Sequence, residues 1–241
     1  MKIAGSVALV TGANRGIGRA LAAGLLERGA AKVYAAARTP SSVDLPGVEV
    51  VPLDITDPAQ VAAAAELAQD VTILVNNAGI STGTALLTSP EADIRREMEV
   101  NLFGSLGVTR AFAPALVRNG GGAIVNVLSA LSWYAYPGNG AYAVSKAAEW
   151  GMNNALRLEL FEQGTQVTGV HLAMADTDMM ADFKHLGLMP TSQVAALTLD
   201  GVEAGSMEVV VDDITAWVKA SLAKDPAEFY TPEFAKGQFS A

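Results

Sequence analysis

Tyr142 and Lys146 stand one helical turn apart in the stretch Tyr-Ala-Val-Ser-Lys, and Ser129 precedes them in a separate apolar segment. A free phenol has a pKa of about 10 and is a poor acid or base at neutral pH. On a helix the lysine falls on the same face as the tyrosine, and an ammonium beside a phenol favours its ionised form. Moving the pKa to about 7 takes ~4 kcal/mol. One unit charge at about 4 Å supplies ~4 kcal/mol at an effective dielectric of about 20. Tyr142 is therefore expected to be tuned by Lys146 to give or take a proton at an oxygen that changes between carbonyl and alkoxide. Ser129 suits a hydrogen bond to that same oxygen, with Ser132 as its rival. Tyr134 and Tyr136 have no lysine one turn on and read as pocket wall or packing.

A second cluster lies near the start. Thr-Gly-Ala-Asn-Arg-Gly-Ile-Gly follows an apolar run and opens a helical one. Gly12, Gly16 and Gly18 let the backbone turn sharply and approach a pyrophosphate at the positive end of the helix. Asn14 and Ile17 share that turn. A carboxylate closing the second strand would bond a ribose 2′-hydroxyl and repel a 2′-phosphate. Ala37 and Arg38 stand there instead, and Arg15 sits inside the glycine turn. Two guanidinium groups suit a phosphate dianion. The expectation is NADP(H) in preference to NAD(H), the alternative being two solvated surface charges.

Composition removes other chemistries. The chain of 241 residues has no cysteine and two histidines, His171 and His185, so thiolate and histidine metal cages are excluded and no metal is expected. A net charge of −9 opposes nucleic acid and also the docking of an acidic carrier protein. Charges interrupt each apolar run before the ~20 residues of a membrane helix. The N-terminus turns polar too early for a signal peptide. A cytoplasmic protein with no membrane partner is expected.

Short apolar runs alternate with helical ones, the pattern of a parallel sheet covered on both faces. Strands are expected at 7–11, 32–37, 48–53, 71–77, 122–129, 166–173 and about 207–212. Helices are expected after the glycine turn, from an Asp57 cap with Pro58 behind it, over 89–116 with a break near Pro114, over 141–161, over 192–203 and over 212–222. The tail, about 224–241, has no period and reads as an extended arm or loose end.

The glycine turn, Asn-Asn-Ala-Gly (Asn76 to Gly79), Asn101, Ser129 and Tyr-Ala-Val-Ser-Lys occur in an order that resembles the classical short-chain dehydrogenases/reductases over residues 5 to about 215. The Ser129–Tyr142 spacing is the one usual in that family. The resemblance implies a single-domain, Rossmann-type doubly wound parallel sheet of about seven strands across 1–241. It implies hydride transfer between NADP(H) and a small-molecule carbonyl or secondary alcohol, in a homodimer or homotetramer paired through the helices after strands four and five. Lys146 is expected also to bond the nicotinamide ribose, and Asn101 to hold a water relaying protons toward it. Asn77, Ala78 and Gly79 are expected along the adenine ribose, with Asn76 bracing the sheet. Asp54, beside Ile55, is expected at the adenine amino group or as a loop cap. Thr177 aligns with the threonine that bonds the carboxamide. The family's Pro-Gly before it is replaced by Leu172–Ala173, which is expected to loosen that loop. Ser129, Leu131, Trp133, Tyr136, Met174 and Met179 are the expected substrate contacts, with a substrate loop over about 173–191 and an apolar or aromatic substrate. The rival reading is an NADP(H)-binding sensor or scaffold without turnover.

Overall fold

The computed structural model describes residues 1–236, the side chains of Lys184 and Leu186 apart; the end of the expected tail, 237–241, lies outside the described residues. Seven parallel strands form one sheet in the order β3-β2-β1-β4-β5-β6-β7. They are β1 Val7–Thr11, β2 Lys32–Ala37, β3 Glu49–Pro52, β4 Ile73–Asn76, β5 Ala123–Val127, β6 Gln166–His171 and β7 Glu208–Val210. The central strands are buried on both faces, which is why their sequence is apolar without alternation. The edge strands β3 and β7 are short and partly exposed, which limits pairing with other chains.

Helices cover both faces. α1 (Gly16–Glu27) packs against α6 (Thr191–Glu203) on one side. There Leu21, Leu25, Val194 and Leu199 close a core with Val10, Val33 and Val75. α2 (Pro58–Leu67), α4 (Ser105–Arg118) and α5 (Gly140–Glu159) cover the other side, where Val108, Phe112 and Leu116 meet Leu9, Leu74 and Ile124. α2 starts as the sequence reads, with the Asp57 carboxylate accepting from the N–H groups of Ala59 and Gln60.

Two expectations fail. The helix before β5 does not break near Pro114, which lies inside α4. The irregularity is earlier: α3 (Glu91–Met98) passes through a π-helical turn, Glu99–Gly104, into α4. A π turn shifts the register of a helix without ending it and is found mostly at functional sites; this one carries Asn101. The continuous stretch Glu91–Arg118 is long and apolar enough, by length and composition, to cross a membrane. Its Val108, Phe112 and Leu116 are instead buried in the core. The tail is also not loose over its described part. After α7 (Asp213–Ser221) it forms two short turns, α8 (Pro226–Phe229) and α9 (Pro232–Ala235). Asp225 and Thr231 cap them, and each has proline at its first position. Phe229 and Phe234 pack on Tyr134, Phe229 stacks on Trp217, and Phe234 meets Tyr136. Sparse aromatics carry no helical period, so this packing left no pattern to read.

A close backbone approach lies at the first turn. A Cβ on Gly18 would come within 2.3 Å of the Gly12 carbonyl oxygen and 2.4 Å of Asn77 Nδ2. Gly18→Ala is expected to cost about 1–3 kcal/mol by overpacking, read as a lower urea midpoint. Wild-type stability in that variant would show that the turn yields freely.

Candidate active site

The strand order reverses between β1 and β4, and a crevice opens at their carboxyl ends. It is a cleft of ≈ 1460 Å³. Of the expected cofactor residues, Gly12, Asn14, Arg15, Gly16, Ile17, Arg38, Asp54, Ile55, Asn77, Ala78, Gly79, Tyr142, Lys146 and Thr177 line it. Gly18 does not, and serves the tight packing of α1 on β1 instead.

The glycine turn is built for an anion. Gly12 and Gly16 have φ of 65° and 55°, the left-handed region that glycine tolerates. No side chain caps the N-terminus of α1, so its first-turn N–H groups face the cleft without a side-chain acceptor. The turn is held by Thr11, whose hydroxyl accepts from the N–H groups of Asn77 and Ala78 at 3.0 Å each. The Asn77 amide donates back to the Thr11 and Gly12 carbonyls. Thr11 was not singled out from the sequence; its one signal is a hydroxyl closing an apolar strand.

Arg38 is exposed at the end of β2 and makes no ion pair among the described residues. Arg15 instead pairs with Asp178 at 2.8 Å. Both side chains are largely exposed, and such pairs are worth about 0–1 kcal/mol, so Arg15 is released at little cost. Asp54 accepts from the Thr56 N–H and hydroxyl. Those bonds hold its carboxyl below the usual range and make it a loop cap that also faces the cleft.

Ser129, Tyr142 and Lys146 meet on the cleft floor. Ser129 caps a short turn, Ala130–Ser132, accepting from Leu131 N–H at 3.1 Å, and its hydroxyl also bonds the Tyr142 phenol. Ser132 folds back to accept from the Ser129 N–H and does not line the cleft, which separates the two rivals. Lys146 Nζ lies 5.9 Å from the Tyr142 ring centre. The expected lowering of the Tyr142 pKa is not the net result. Burial pushes the phenol up, Lys146 pulls it down and Glu149 pushes it back, so it stands above its ordinary value. Burial first, and then the Glu149 carboxylate one turn further on, outweigh the lysine.

Asn101 is buried behind the cleft wall and does not line it. Its amide donates to Ile80 O and Ser145 Oγ, and its oxygen accepts from Ile80 N–H, each at 2.9 Å. The expected relay toward Lys146 thus finds a side chain already engaged in bracing the segment after β4 against α5. Behind it a ladder of buried amides crosses the sheet. Asn76 donates to Thr109 and Asn126, and Asn126 donates to Asn153 on α5.

Of the expected substrate contacts, Ser129, Leu131 and Met179 line the cleft, and Trp133, Tyr136 and Met174 do not. Trp133 stacks on His171 at 3.8 Å, and Tyr136 is drawn to Phe234 of the tail. The Met174 carbonyl accepts from Met189 N–H, closing the base of the loop that ends before α6. Burial pushes the Tyr134 phenol up to about 12, far from proton exchange at neutral pH. The Leu172–Ala173 step is not loosened. Ala173 N–H donates to Asp212 at 2.7 Å, Leu172 O accepts from Ala130 N–H, and no non-glycine residue among those described has positive φ. Thr177 sits against Gly16, where a Cβ would come within 3.3 Å of its methyl.

Three comparisons bear on this site. The family model described as short chain dehydrogenase matches residues 6–186. The 3-oxoacyl-[acyl-carrier-protein] reductase FabG of Salmonella typhimurium is 31% identical, over 97% of this chain and 96% of the relative. A short chain dehydrogenase of Burkholderia cenocepacia, solved in complex with NADP, is 40% identical with a TM-score of 0.91, covering 96% of this chain and 100% of its own. A 7α-hydroxysteroid dehydrogenase complexed with NADH and 7-oxo glycochenodeoxycholic acid is 26% identical with a TM-score of 0.80, covering 87% and 93%.

His171, beside this site, makes a pH prediction. Its Nδ1 faces the Ser129 carbonyl at 3.2 Å, an acceptor only, so Nδ1 carries the proton. Nε2 is buried without a partner among the described residues. Burial lowers its pKa to about 4, from an ordinary value of 6.5. The folded state resists protonation, so this stabilisation is complete above the unfolded value and is lost as pH falls from 6.5 toward 4. From this residue alone, stability is expected to drop by about 2 kcal/mol between pH 7.5 and pH 5. His171→Phe, which keeps the stack on Trp133, should flatten the slope in denaturation series across that range.

Proposed function

The chain belongs to the short-chain dehydrogenase/reductase family, and from that premise we propose that it is an NADPH-dependent carbonyl reductase acting on a small apolar or aromatic ketone or aldehyde. One observation carries the reading: Ser129, Tyr142 and Lys146 share one cleft with the uncapped N-terminus of α1 and its glycine turn. The residues present fit a dinucleotide. Gly12 and Gly16 keep the floor of the turn free of side chains, and Arg15 and Arg38 would flank the adenosine end, Arg38 making no ion pair among the described residues.

NADPH, when bound, supplies the hydride. Ser129 donates a hydrogen bond to the substrate oxygen and orients it. Tyr142 gives its phenolic proton to that oxygen as the carbonyl becomes an alcohol. Lys146, fixed by Val127 and Glu149, keeps one N–H toward the cofactor ribose and the phenol. Leu131, Met179 and Phe183 offer the apolar wall for the rest of the substrate, the methionine adapting to irregular shapes. We extend the reading to a homodimer or homotetramer. Phe103 and Val117 on the helix before β5, and Leu158 and Phe161 at the end of α5, are exposed and would be covered by a second copy. A cytoplasmic location belongs to the same reading, since the chain has no cysteine and its chemistry draws on a reduced nicotinamide pool.

The name of the FabG relative suggests a 3-oxoacyl substrate, itself a ketone. Against the carrier-bound form stands the net charge of −9, which repels an acidic carrier protein. NADPH oxidation should therefore be followed with free carbonyls and with a 3-oxoacyl group on a small thiol. Tyr142→Phe is expected to lose about 10²–10⁴-fold in kcat while still binding NADPH. Undiminished turnover in that variant would sink the mechanism. Arg38→Ala is expected to lose about tenfold in affinity for NADPH and little for NADH. A wild-type preference for NADH defeats the phosphate argument. Tight NADPH binding without turnover of any carbonyl favours the sensor.

A further inference from the structure

The buried face of α5 runs Tyr142, Lys146, Glu149, Asn153, Leu156, spaced at alternating four and three residues. Such a stripe on a core helix is ordinarily apolar. Here Glu149 and Lys146 are both buried, with 2% and 5% of their side chains exposed, and their charged atoms meet at 2.5 Å. A carboxylate in that setting is costly unless it is paired and hydrogen-bonded. This one has Lys146 on one side and the buried Ser105 hydroxyl of α4 on the other. Lysine offers three N–H donors. Lys146 gives one to Val127 O at 2.9 Å and one to Glu149, leaving one for the cleft.

Resting on the reading of Tyr142 as the acid, we propose that Glu149 is a positioning residue for the proton-transfer pair. It fixes the direction of Lys146 and balances its charge, so that the Tyr142–Lys146 pair holds its proton at neutral pH.

The charges around the phenol are few. Lys146 and Glu149 lie on α5 itself, and Glu97 faces it from α3; the segment after β5 offers the Ser129 hydroxyl, and α4 offers Ser105 to Glu149. Burial opposes charge on Lys146, but Glu149 and Tyr142 together outweigh it and hold the ammonium above its ordinary pKa. Seen from Tyr142, burial is the main force keeping the phenol protonated, and Glu149 opposes the lysine's pull toward phenolate. Reduction consumes a protonated phenol, and oxidation requires an ionised one. A phenol kept protonated extends the reductive reaction into alkaline pH and confines the oxidative one there.

Removing the negative charge makes proton loss from the coupled Tyr142–Lys146 pair easier, whichever of the two gives it up. The test is the pH profile of kcat/KM in both directions for wild type, Glu149→Gln and Glu149→Asp. Gln keeps an acceptor for Lys146 and loses the charge. Its apparent pKa should fall by about one unit or more in both directions, moving the alkaline limb of reduction and the acid limb of oxidation together to lower pH. Asp should restore the wild-type profile. An unchanged or upward-shifted profile in a folded, NADPH-binding Glu149→Gln overturns the proposal. Should that variant not fold, phenolate absorbance decides. In the difference between wild type and Tyr142→Phe without cofactor, no phenolate should appear below about pH 10; one appearing near neutrality overturns the proposal. If Tyr142→Phe keeps full activity, the parent reading fails and this one with it. If Tyr142→Phe is inactive and Glu149→Gln keeps the wild-type profile, this one alone fails.

Discussion

Chain connections from β1 and β4 leave the sheet in opposite directions, and no helix can fill the space between them. Parallel strands need right-handed crossovers, so α1 goes to one face and the helices after β4 go to the other. The gap at the carboxyl ends is therefore enforced by topology. Four segments border it: the glycine turn after β1, the Asn77–Gly79 segment after β4, Ser129 after β5 and Thr177 after β6. The four come from distant parts of the chain and are held in register by the ladder of the sheet.

A gap is useful only if its rim is rigid, and here rigidity comes from buried polar groups. The Thr11 hydroxyl joins the rims of β1 and β4. The Asn76–Asn126–Asn153 amides carry the connection through the sheet to α5. Asn101 and Ser145 tie the same helix to the segment after β4. Directional contacts of this kind specify one arrangement where apolar packing would allow several. The same helix thus presents Tyr142 and Lys146 to the cleft and is clamped from behind by amides.

The elements were legible because burial on both faces, proline and aspartate at helix starts, and glycine at stops all act locally. Seven strands and the parallel sheet follow from such signals, as does the pairing of Tyr142 with Lys146 on one helix face. What was not legible depends on contacts between distant residues. The charge state of Tyr142 needed Glu149 to be seen facing Lys146 rather than solvent, and a glutamate three residues on reads equally well either way. Trp133 and Tyr136 were expected in the cleft because they neighbour Ser129, yet ring stacking on His171 and Phe234 takes them elsewhere. Leu172–Ala173 looked like a loosened turn because its anchor, Asp212, lies in another element. The break expected near Pro114 became a π turn at Asn101, which no residue type announces.

The aromatic packing of α8 and α9 gives the end of the chain a reach that ends rarely have. Termini usually tolerate shortening and fusion. Here the rings of Phe229 and Phe234 rest on Tyr134 and Tyr136, inside the segment that links Ser129 to Tyr142, and the Tyr230 hydroxyl accepts from the Ala135 N–H. Substitutions made there reach the segment between Ser129 and Tyr142 without touching α5 or the glycine turn. For anyone altering this protein's selectivity, the tail is a handle on the site from outside it.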